Sequence, residues 1–111
     1  QAVVLRRAQS YINDNLQDPN LSPAKIANDI GITVRHLHRV FAAAETTVAA
    51  WVLKLRLEHC RQDLHKSANR SITDIALHWG FADSSVFSKS FKRAFGTTPS
   101  AYRAANMPSR H

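Results

Sequence analysis

From Val4 to Leu16 the apolar residues Val4, Ala8, Tyr11, Ile12 and Leu16 recur at helical spacing, and Asp18-Pro19 stops the run. This predicts a first helix over 4–16. Ser22 then offers a side-chain oxygen to the open N–H groups of a helix start. Pro23 suits the first helical position because the N–H it lacks would have no partner there. Ile26, Ala27 and Ile30 make one buried stripe that ends at Gly31. After Ile32, Thr33 is placed to cap a third helix with Leu37, Val40, Phe41 and Ala44 as its core face. The pattern is helix, three-residue turn, helix.

The same order returns further along. Ser71 caps, Asp74 follows three residues later as an acidic capping-box variant, and Ile72, Ile75, Ala76 and Trp79 form the stripe before Gly80. Asp83 takes the part of Thr33 for a helix that buries Phe87, Phe91 and Ala94 and stops at Phe95-Gly96. Thr98-Pro99 starts a last short helix carrying Tyr102. Ser22, Ile26, Ala27 and Gly31 lie 49 residues before Ser71, Ile75, Ala76 and Gly80, whereas Leu37 and Phe41 lie 50 before Phe87 and Phe91. The chain is an internal repeat with one extra residue in the second turn.

Between the copies, 47–66 contains no breaker and reads as one helix of roughly 30 Å at 1.5 Å per residue. Val48, Trp51, Val52 and Leu55 make its early stripe; Leu53, Leu57, Cys60 and Leu64 make a later one on another side. A helix with differently directed stripes at its two ends needs a packing partner at each end. The expected fold class is therefore all-α: about seven helices, in two homeodomain-like helix-turn-helix subdomains joined by a long linker helix. The expected division is 1–46, linker 47–66, 67–104 and a tail over 105–111.

Composition narrows this further. With 111 residues the chain has room for one modest core or two small ones. Three glycines and four prolines argue against a turn-rich sandwich or a glycine-rich phosphate loop. Cys60 is the single cysteine, which excludes an internal disulfide and fits a reducing, cytoplasmic compartment. No apolar run approaches the ~18 residues of a membrane helix, so no membrane partner is expected. A first residue that is not Met suggests a piece of something longer.

Fifteen Lys and Arg against eight Asp and Glu give a net charge of +7, enough to make a polyanion partner worth considering. On the predicted third helix, Arg35 and Arg39 project opposite the Leu37, Val40 and Phe41 face, with His38 and Ala42 on the flank. The matching places in the second copy hold Ser85 and Lys89, flanked by Ser88 and Lys92, with Ser84 one step earlier. Hydrogen-bond donors at matching places on two turn-helix units suit helices entering the major groove of DNA. There Arg can pair with guanine O6 and N7, and Ser and His can reach base edges. Any one of these helices alone would read as a solvated amphipathic face; their duplication favours DNA.

The stretches SPAKIANDIGITVRHLHRVF, WVLKLRLEHCRQDL and SITDIALHWGFADSSVFSKSFKRAFGTTPSAYR resemble the AraC/XylS family of bacterial transcription regulators. Ile75-Ala76, Gly80-Phe81, Phe87, Phe91, Phe95-Gly96, Thr98-Pro99 and Tyr102-Arg103 all fall where that family's signature puts them. The resemblance runs from about Ala8 to Arg103. It implies sequence-specific binding of double-stranded DNA in successive major grooves, with base contacts from Arg35, His38 and Arg39 and from Ser84, Ser85, Ser88 and Lys89. Thr33, His36, Lys92 and Arg93 are the expected phosphate contacts. The resemblance further implies an activator of transcription, contact with RNA polymerase, and a separate effector-sensing or dimerisation domain that is absent here. Glu45 stands where the family often has Gly, which implies a left-handed backbone there.

Other chemistry fits less well. His36 and His38 are two apart on a helix and diverge, and His59, Cys60 and Asp63 lack a convincing third ligand, so neither a metal nor a cofactor is expected. Cys60 reads as a packed core thiol, and Trp51, Trp79, Phe87 and Phe91 as core anchors. Ser, His and Asp fall in no catalytic frame, so no enzyme is expected. The alternative function is a basic helical module that binds polyanions or membranes without sequence preference.

Overall fold

The computed structural model describes residues 2–67 and 69–106. The described residues form seven α-helices: α1 Ala2–Asp14, α2 Pro23–Ile30, α3 Val34–Ala43, α4 Val48–Lys66, α5 Ile72–His78, α6 Ser84–Phe95 and α7 Pro99–Asn106. Of the expected tail over 105–111, Ala105 and Asn106 belong to α7, and 107–111 lie outside the described residues. The helices make two compact units, residues 1–55 and 56–111, with the division falling inside α4.

The starts of α2 to α7 all follow one rule, in which a short polar side chain takes an orphan backbone N–H. Ser22 accepts from the Lys25 N–H at 3.1 Å, Thr33 from His36 at 3.0 Å and Thr47 from Ala50 at 3.0 Å. Ser71 accepts from Asp74 at 3.0 Å, Asp83 from Val86 at 2.8 Å and Thr98 from Ala101 at 3.1 Å. Each such cap contributes about 1 kcal/mol.

The ends follow a second rule. At Gly31, Glu45 and Gly80 the chain turns left-handed, with φ of 79°, 61° and 91°. Each is closed by a pair of reversed bonds: Ile32 N to Ala27 O and Gly31 N to Asn28 O; Thr46 N to Phe41 O and Glu45 N to Ala42 O; Phe81 N to Ala76 O and Gly80 N to Leu77 O. That is the Schellman arrangement three times over. The left-handed turn expected at Glu45 is present, and Glu45 is the only non-glycine with positive φ among the described residues. Gly96 ends α6 by the simpler route, its N–H bonding Lys92 O at 2.8 Å.

In the first unit α1 packs on both α2 and α3. Ala8, Ile12 and Leu16 meet Ile26, Ala27, Ile30, Leu37, Val40 and Phe41 in a core from which water is excluded. The helix α1 stops two residues short of the expected Leu16, because the Asn15 amide donates to Tyr11 O at 2.8 Å and turns the chain; Leu16 reaches the core from that turn. Arg7 donates to Ile30 O at 2.9 Å, covering a carbonyl at the end of α2.

In the second unit the C-terminal half of α4 stands in for α1. Leu57, Cys60 and Leu64 pack with Ile75, Ala76, Phe81, Phe87 and Phe91. The rings then run as a chain, Phe81 to Phe87 at 5.1 Å, Phe87 to Phe91 at 5.6 Å and Phe91 to Tyr102 at 5.7 Å, which docks α7 on α6. Arg103 donates to Leu64 O at 3.3 Å and Ser67 O at 3.0 Å, closing the end of α4 as Arg7 closes α2.

Three apolar residues depart from the expected core. Ala44 and Ala94 are exposed: Ala44 is already the C-cap, and Ala94 sits in the last turn of α6, where Phe95 rather than Ala94 packs on Phe91. Leu53 remains 38% exposed, since by contact it belongs to the first unit while its stripe is the one that the second unit buries from Leu57 onward.

Candidate nucleic-acid interface

In each unit the two-helix turn presents the outer side of its last helix. Leu37, Val40 and Phe41 anchor α3 inward, so Arg35, His38 and Arg39 stand exposed and His36 half-buried. Phe87 and Phe91 anchor α6 in the same way, leaving Ser85, Lys89, Lys92 and Arg93 exposed. Ser84 and Ser88 are half-buried on the flank toward the core. Thr33 is exposed at the start of α3, with its hydroxyl oxygen already accepting from His36 N.

Val86 was not among the expected site residues, and it lies on the outer side of α6 at 49% exposure. It stands off the Phe87 and Phe91 stripe by more than a quarter turn, and an apolar residue off the core stripe was the signal available in the sequence. Its counterpart in α3 by the 50-residue offset is His36.

The electrostatics mark these faces as cationic and free of acids. Five cations elsewhere are tied within the protein. Lys25 pairs with Asp18 at 2.6 Å, and that hydrogen bond raises its pKa. Arg61 pairs with Glu58 at 2.5 Å, Arg70 with Asp63 at 3.2 Å, and Arg7 and Arg103 hold helix-end carbonyls. By contrast Arg35, Arg39, Lys89, Lys92 and Arg93 have no hydrogen bond or ion pair among the described residues, and neither α3 nor α6 contains an acid. Free cations on an acid-free face attract a polyanion and keep their donors available for it.

The chain matches the helix-turn-helix domain family over residues 26–105. It is 38% identical to the probable transcription factor PqrA of Proteus vulgaris over 114 aligned residues, covering 94% of this chain and 93% of that protein. It is 37% identical to the transcriptional activator NphR of a Rhodococcus species over 99 residues, 89% of this chain. A solved AraC-type DNA-binding transcriptional regulator from Chromobacterium violaceum superposes with a TM-score of 0.84 at 34% identity, covering 92% of this chain and 90% of that one. The chain belongs to the AraC-type helix-turn-helix family. This AraC-type domain spans only 29% of NphR's length, so the two proteins share their DNA-binding part and nothing is implied about the remainder.

The groups that invited other chemistry have structural occupations in this AraC-type domain. His59 stacks on Trp79 at 4.2 Å, and the Asp63 carboxylate accepts from Trp79 Nε1 at 2.7 Å and from Arg70. Cys60 is wholly buried, and burial pushes its thiol up to about 12, leaving it without nucleophilic thiolate. Among the described residues no three His, Cys, Asp or Glu gather in a metal-binding group, and no helix is long and apolar enough to cross a membrane.

Proposed function

We propose that this domain reads specific double-stranded DNA by placing α3 and α6 in successive major grooves of one duplex. One observation carries the assignment: the cations of α3 and α6 are free and unopposed, whereas Arg7, Lys25, Arg61, Arg70 and Arg103 are tied within the protein. Arg35 and Arg39, in the first two turns of α3, lie where a recognition helix meets base edges, and each has the paired donors that match guanine. His38 shares that exposed face. On α6, Ser85 and Lys89 take the corresponding places, with Ser84 and Ser88 beside them. Thr33, His36, Lys92 and Arg93 hold the phosphates on either side. The family resemblance extends this reading to a cytoplasmic transcription activator that touches RNA polymerase and carries an effector-sensing or dimerisation domain.

The test is selection of bound sites from a random duplex library, followed by titration on the selected and a scrambled duplex at one salt concentration. A tight preference for the selected duplex is expected. Equal affinity for both would replace this function with non-specific polyanion binding.

A further inference from the structure

Val86 is a large apolar side chain held at the working surface of α6. Projected at ~100° per residue, it lies about 20° from Arg93, about 60° from Lys89 and about 120° from the middle of the Phe87 and Phe91 stripe. It is the third residue of α6, and 49% of its surface stays open to solvent. The other side chains in the first two turns of that outer face are short or polar: Ser85 and Lys89. Val34 at the start of α3 differs, being 38% exposed and only about 20° from Phe41 of its core stripe by the same projection.

An exposed valine gains free energy only when something apolar covers it. In a major groove, base edges present donors, acceptors and one apolar group, the C5 methyl of thymine. Recognition helices meet bases through their N-terminal residues, and Val86 is among these in α6. Building on the DNA reading above, we propose that Val86 packs against a thymine methyl and is a specificity-determining residue of the α6 half-site. The serines around it are short, so α6 can approach the base edges closely enough for a two-methyl side chain to touch them. The second unit then selects a thymine by shape where the first selects guanine by hydrogen bonds.

The experiment takes a duplex selected by the wild-type domain and replaces its thymines singly by uracil, which removes the methyl and nothing else. The α6 half-site is the one whose base preference survives Arg35→Ala. For the wild-type domain one uracil in that half-site should weaken binding about fourfold, the worth of one buried methyl. Val86→Ala should bind the thymine duplex several-fold more weakly and no longer distinguish it from the uracil duplex, whereas Val86→Thr, which keeps one methyl, should retain part of the distinction. Val86 is exposed, so these variants keep the core. A flat uracil scan with preference over scrambled DNA intact overturns the inference and leaves the DNA reading standing. Uracil sensitivity that persists unchanged in Val86→Ala also overturns it. Loss of any preference for the selected duplex overturns both.

Discussion

The two recognition helices, α3 and α6, share a frame and differ in where they keep their long side chains. On α3 the reach comes early, from Arg35 and Arg39, and the last turn ends on Ala42 and Ala43. On α6 Ser84, Ser85 and Val86 fill the first turn, Lys89 stands where Arg39 does, and Lys92 and Arg93 add cations in the later turns. Base edges are met by the start of such a helix, and the backbone phosphates lie along its flanks. On the reading proposed above, the first unit discriminates by bidentate donors, and the second grips phosphate with Lys92 and Arg93 while reading by close fit. The two units share a scaffold and differ at outward positions, none of which lies in the buried core.

The largest effect should come from separating the two units' targets. Half-sites read together should lie one helical turn apart, ~10 to 10.5 base pairs. Inserting five base pairs between them should reduce binding of the selected duplex to the level of scrambled DNA, and unchanged affinity would show that only one unit engages. Next come single side chains. Arg35→Ala and Arg39→Ala should each cost ~1 to 3 kcal/mol on the selected duplex and relax one or two base positions. Lys92→Ala and Arg93→Ala should weaken selected and scrambled duplexes alike and lower the slope of log affinity against log salt by about 1 each. Titration of both duplexes at several salt concentrations separates the two classes, and equal losses on both duplexes for the arginine variants would place Arg35 and Arg39 on phosphate.

A smaller effect concerns how each recognition helix ends. The turn after α3 puts Glu45 at φ 61°, and α6 ends on Gly96 at φ 76°. A Cβ in that region costs about 1 kcal/mol, so Glu45→Gly should stabilise the first unit by about that much, and Gly96→Ala should destabilise the second similarly. Nothing lies within 4 Å of a Cβ built on Gly96, so its loss would be backbone strain alone. Thermal melts of the two variants should move in opposite directions.

The smallest effect distinguishes the cores. Only the second contains a thiol, Cys60, and its folded pKa of about 12 lies above the ~8.5 of an unfolded cysteine. The unfolded chain therefore binds fewer protons above that lower value. Stability from this group is fully present below pH ~8.5 and falls as pH rises toward 12. Alkylation of Cys60 in the native domain at pH 8 should be slow, and fast once denaturant is added; rapid native alkylation would show that the second core opens readily.

Most of the helices were legible in the chain. Their starts are local chemistry, with Ser22, Thr33, Ser71, Asp83 and Thr98 each accepting from an N–H three residues on, and their ends at Gly31, Gly80 and Gly96 need only a residue free of Cβ strain. The repeat was equally legible, because each unit must bury the same stripes in the same order. The outward positions of α3 and the cations of α6 followed from those stripes.

Tertiary structure decided what a stripe alone leaves open. Periodicity put Leu53, Ala44 and Ala94 inward, but burial requires a neighbouring helix at that height, and none covers them. The family resemblance put Ser84 and Ser88 among the base contacts; packing leaves them half-buried beside Ser85 and Lys89, with Val86 exposed. His59, Asp63, Arg70 and Trp79 met only through the folding of α4 against α5, because their association joins residues up to 20 positions apart. Caps and turns are determined within a few residues of chain, so sequence sufficed for them. Which side chains remain free for a partner depends on what every other element has already covered.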